Sequence, residues 1–111
     1  MSTGRRLADT RQGWFPLAID EIQDGDYWKV LDPDTQEPVR SNARGNLTHT
    51  VWMFRGPNGT GFGTLSLHTV REEDDGTISV RPGDGSSNSI LQGRGDKTWH
   101  GYIEHGVWTV A

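Results

Sequence analysis

The chain has no cysteine. That absence excludes disulfides, thiolate-ligated zinc and a cysteine nucleophile. No apolar run approaches the roughly 18 residues that a membrane span needs, and Met1 to Gln12 lacks the pattern of a secretory signal. No window holds ten or more residues of 3.6-residue periodicity, so long helices are not expected. Cations are also in short supply: 11 Lys and Arg stand against 15 Asp and Glu, giving a net charge of −4. This balance argues against broad nucleic-acid binding, which depends on neutralising phosphates. It leaves room for a local basic patch.

What is present is glycine and tryptophan. The 111 residues include 15 Gly and five Trp. That length suits one domain, and the residue pattern predicts an all-β fold. The expected architecture is mainly an antiparallel meander, a small sandwich or an open barrel, with little helix. Residues 1–12 are polar and read as a flexible arm or one helical turn. The tract Asp32 to Gly45 reads as an irregular connection, and residues 82–96 read as a long glycine-rich loop.

The strand candidates are Asp26 to Leu31, Thr48 to Arg55, Phe62 to Arg71, Thr77 to Arg81, Lys97 to Ile103 and Val107 to Val110. Asn58-Gly59 is a strong hairpin signal, because both central positions of a type I′ turn need positive φ. With those two residues as the loop, Trp52 faces Leu65, Thr50 faces Leu67 and His49 faces His68. A second turn at Asp75-Gly76 sets Val80 opposite Arg71 and Ile78 opposite Glu73. Alternation then gathers Trp52, Phe54, Leu65, Leu67, Ile78 and Val80 on one face, the expected core face. The other face carries His49, Val51, Met53, Thr64, Ser66, His68, Ser79 and Arg81. A turn at His105-Gly106 pairs Ile103 with Trp108, with Trp99 and Ile103 on one side and His100 and Tyr102 on the other.

Three kinds of chemistry fit these residues. The first is protein binding, in which Trp14, Phe15 and Trp28 would anchor an interface if exposed. The second is nucleophilic catalysis. Ser89 sits in the glycine-rich stretch just before Ile90-Leu91, and His100 follows on the next strand, where it could serve as base. His68 could orient that imidazole, and Asp84 or Asp96 could do so instead. The third is a metal site built on the cross-strand pair His49 and His68, which lacks any HxH or HExxH motif. Against it stands the plainer reading of two imidazoles bonded to hydroxyls or backbone. No cofactor motif is present, since neither GxGxxG nor GxxxxGK[ST] occurs.

Four short segments carry a family resemblance: Thr77-Ile78-Ser79-Val80, Ser89-Ile90-Leu91, Trp99-His100-Gly101-Tyr102-Ile103 and Gly106-Val107-Trp108. Together they resemble a family of small, uncharacterised β-rich proteins of actinobacterial phages and bacteria. The resemblance covers roughly residues 62 to 110. Some relatives lie beside ubiquitin-like conjugation genes, where a peptidase role has been suggested. The resemblance implies that the family's serine maps to Ser89, its later histidine to His100 and an earlier histidine to His68. Asn88 stands where the family usually has proline, and the Cys-x-x-Cys often found upstream is missing. The expected function is thus that of a phage- or bacterium-type accessory protein acting through protein binding, with a host, phage or second-copy partner. The alternatives are a serine hydrolase of ubiquitin-like substrates, with Ser89 as nucleophile and His100 as base, and a His-based metal site. The expected location is cytoplasmic, in the host cytoplasm if phage-encoded.

Overall fold

In the computed structural model, the described residues are 2–10, 12–41, 49–65, 68, 70–80 and 89–111. The fold is all-β and antiparallel, with only short 3₁₀ turns and no closed barrel among the described residues. No helix there is long and apolar enough to cross a membrane.

Two sheets matter most. One has the order β1-β11-β10-β9: β1 is Ser2–Thr3, β9 Ile90–Arg94, β10 Lys97–Glu104 and β11 Val107–Val110. The other has the order β2-β5-β6: β2 is Tyr27–Lys29, β5 Trp52–Gly56 and β6 Gly61–Thr64. Two small ladders complete the set, β3 (Arg40–Ser41) with β4 (His49–Thr50) and β7 (Arg71–Glu72) with β8 (Ile78–Ser79).

Strands β2 and β5 are largely apolar on both faces because both faces are covered. Tyr27, Trp52, Phe54 and Leu65 point into a core shared with Ile78, Val80, Ile90, Trp99, Ile103 and Trp108. The alternate residues Trp28, Val30, Val51 and Met53 point into a second core with Leu7 and Ile22, on which Phe15, Val39 and Phe62 pack. The expected core face is therefore buried at every described position, and Val51, Met53 and Ser79 of the other face are buried too. Strand alternation predicts two faces, and here the chain before β2 supplies the second cover.

The sequence places two hairpins correctly. Asn58 (φ 58°) and Gly59 (φ 72°) take the type I′ conformation, and Met53 pairs with Thr64, Phe54 with Gly63 and Arg55 with Phe62. His105 (φ 48°) and Gly106 (φ 78°) do the same, so Ile103 pairs with Trp108.

Other expectations are corrected. The turn after β7 has three residues, not two: Glu73 N–H donates to Thr77 O, and Gly76 takes φ 87°. Asp75 Oδ1 accepts from both the N–H and the hydroxyl of Thr77 and so fixes this turn. Ile78 consequently faces Glu72, and Ser79 faces Arg71. The slip changes which acid stands opposite Ile78, while Ile78 and Val80 still bury the same side. Val80 bridges to Ile103, outside the expected three-stranded sheet.

The expected arm is part of the fold. Ser2 and Thr3 pair with Trp108 and Val107, Arg6 bridges to Tyr27, and Leu7 and Thr10 are buried. Gly4 is needed there, because a Cβ would collide with Gly25 O and press on the Trp108 indole. The expected long loop is shorter, since Ile90–Arg94 forms β9 against β10. Residues 82–88 of it lie outside the described residues.

Candidate functional site

The expected site residues that are described can be placed, whereas Asp84 lies outside the described residues. Ser89 is half-buried, directly before β9. His100 is exposed on β10, opposite Leu91, and Ile90 pairs with Gly101. Extending that register by one residue sets Ser89 opposite Tyr102, on the same face as His100 but diagonal to it. A general base must come within about 2.6–3.2 Å of the proton it takes. Among the described residues, no hydrogen bond links Ser89, His68 and His100. His68 is half-buried in a bend after β6, where its N–H donates to Leu65 O at 3.0 Å.

The cross-strand pairing of His49 with His68 does not form. The β5–β6 ladder closes on the Leu65 N–H bond to Trp52 O, and His49 pairs through its backbone with Ser41 instead. The His49 side chain lies outside the described residues. Among the described residues, no three His, Asp or Glu are grouped to hold a metal ion.

The three aromatic candidates divide. Trp28 is wholly buried, so it is a core ring and not a surface anchor. Its place on β2 opposite Met53 turns it into the second core. Phe15 packs edge-on against Phe62 at 5.2 Å and lies 6.0 Å from Trp28. Trp14 alone points outward, 52% exposed, and its carbonyl accepts the Trp28 Nε1–H bond at 2.8 Å. A buried tryptophan thus holds the backbone of an exposed one. Leu17 (39%) and Ile19 (56%) are exposed a few residues further on, and Asp20 and Glu21 follow. Leu17 and Ile19 were not among the residues expected at an interface. The available signal was Pro16 inside an apolar run without periodicity, which prevents a helix from turning those side chains inward.

Two polar clusters were also missed. Glu72 Oε1 accepts from Lys29 Nζ at 2.8 Å and its Oε2 from Arg6 at 3.3 Å, and both cations lie over the Trp52 ring. The Lys29 hydrogen bond is the main cause that holds Glu72 below the ordinary carboxylate value. Glu73 Oε2 accepts from the Ser79 hydroxyl at 2.6 Å and from Arg71 at 3.2 Å, with His105 Nε2 at 3.7 Å. Its carboxyl is also lowered, chiefly by Ser79. Ser79 Oγ in turn accepts the His105 N–H at 2.9 Å, so it ties the β10–β11 turn to the β7–β8 hairpin. Ser79 is fully buried and has its hydroxyl committed.

Family models, curated protein sequences and solved structures contain no match to this chain.

Proposed function

We propose that this chain is an accessory protein of the phage and bacterial kind that works by binding another protein, with Trp14, Leu17 and Ile19 as its anchors. The observation that carries the reading is the outward Trp14 ring on a backbone fixed by the buried Trp28. Exposed tryptophans dominate the energetics of protein interfaces. An anchor that is already ordered loses less freedom on association. Phe15 strengthens the effect by pinning the next residue into the second core.

The neighbouring Asp20 and Glu21 give the patch an acidic border, which suits a partner with a basic rim around an apolar pocket. The family resemblance supports an accessory role, and the cytoplasm of the producing cell is where the partner is sought.

The test is photo-crosslinking in the producing cell, with p-benzoylphenylalanine placed at position 14 or at position 110. Val110 is equally apolar and even more exposed, so it controls for stickiness. The expected result is one discrete conjugate from position 14 that position 110 does not give. The same conjugates from both positions, or none from position 14, would sink the reading.

A further inference from the structure

In this acidic chain nearly every described cation has an acid against it. Arg5 pairs with Asp26, Arg6 with Asp9 and Glu72, Lys29 with Glu72, Arg55 with Asp24 and Arg71 with Glu73. Among the described side chains, Arg94 and Lys97 are the exceptions. They stand directly opposite each other as the pair nearest the β9–β10 turn. Like charges in that position repel. Asp96 lies in the turn between them and forms no ion pair with either.

The same two side chains line an open cleft of about 480 Å³, together with Thr60, Gly61, Phe62 and Gln92. Its far wall is fixed. Gln92 Nε2 donates to the carbonyls of Thr60, Gly61 and Phe62 at 3.3, 3.3 and 2.9 Å, which holds β9 against the edge of β6. Gly93, at φ 99°, lets the hairpin fold closely there, since a Cβ would collide with the Lys97 backbone.

We propose that this cleft binds a phosphate group carried on a small molecule. Arg94 supplies a planar fork of donors for two oxygens, and Lys97 supplies a second positive charge. The bound oxyanion replaces the repulsion between the two cations with attraction to both. The cleft has room for more than a bare phosphate. The net charge of −4 repels anions at long range, so the attraction is local and weakens with salt.

The experiment is an amide NMR titration of the full chain with phenyl phosphate at constant ionic strength, with phenol as the uncharged control. The expected result is saturable shifts confined to residues 59–62 and 92–97, with no such response to phenol. Arg94→Ala and Lys97→Ala should each weaken binding about tenfold, as the loss of a charge-assisted hydrogen bond does. Both side chains are exposed, so the variants should keep the wild-type spectrum elsewhere. Non-saturating shifts, an equal response to phenol, or unchanged affinity in the Arg94→Ala/Lys97→Ala double variant would each overturn the proposal.

Discussion

Asp26 shows how one residue can join three segments. Its carboxylate takes two bonds from Arg5, at 3.0 and 2.7 Å, and a third from the Gln23 N–H at 2.7 Å. The Asp26 side chain is 1% exposed, whereas Arg5 is 48% exposed. Burial of the acid makes its bonds obligatory, while the exposed guanidinium recovers part of its loss from water. Removing the acid should therefore cost less than breaking a fully buried pair. Asp26→Ala is expected to destabilise by about 2 kcal/mol, read by urea denaturation. A change below about 0.5 kcal/mol would show that Arg5 and the Gln23 turn hold their places without it. At the same scale, Ser89→Ala should leave partner binding unaltered, because the anchors we propose are Trp14, Leu17 and Ile19.

At the scale of elements, residues 2–7 join the two main sheets through backbone bonds, to β11 at one end and to Tyr27 of β2 at the other, and side chains add to that link. Gln92 covers the carbonyls of Thr60, just before β6, and of Gly61 and Phe62 at its start, beside an edge that would otherwise be open to another strand. Trp108 Nε1–H reaches Gly25 O at 2.8 Å and ties β11 to the turn before β2. Gln92→Ala is expected to cost about 1–3 kcal/mol, and to speed hydrogen exchange in β6 more than in β10 or β11. Uniform exchange across all three strands would contradict the clasp.

The hairpins were legible at this scale wherever two consecutive turn residues demanded positive φ, at Asn58-Gly59 and at His105-Gly106. The Asp75-Gly76 turn was misplaced by one residue because Asp75 captures Thr77 through its side chain, and residue type alone does not reveal that bond. The role of Gln92 was hidden for a related reason. Its partners lie some thirty residues away in sequence, and a polar residue facing inward breaks the alternation rule.

Across the whole molecule, β1 beside β11 brings the first residues against the last hairpin, and the segment 7–22 covers the second core. The polar composition of residues 1–12 concealed this, because pairing through the backbone leaves no mark on side-chain type. The three aromatic candidates are divided by context: Trp28 is inside, Phe15 half inside and Trp14 outside.

The acids that brace the fold also set its pH dependence. Glu72, Glu73 and Asp75 all have carboxyls below their ordinary values in the folded chain, chiefly through Lys29, Ser79 and Thr77 respectively. A carboxyl lowered on folding adds stability above its unfolded value, and that stability is lost as pH falls through the folded one. Thermal stability should therefore be level above about pH 5 and fall in more acidic solution. Glu72→Gln should flatten that fall. A melting temperature that rises on acidification from pH 5 to pH 3 would contradict the assignment.

The central claim is that the outward Trp14 ring is the anchor for a partner. The most direct measurement is the affinity of the crosslinked partner, once purified, for the wild-type chain and for Trp14→Ala. The account predicts a loss of at least tenfold, in keeping with about 2 kcal/mol for an interface tryptophan, with the melting temperature within a degree or two of wild type. Equal affinity for both chains would contradict it.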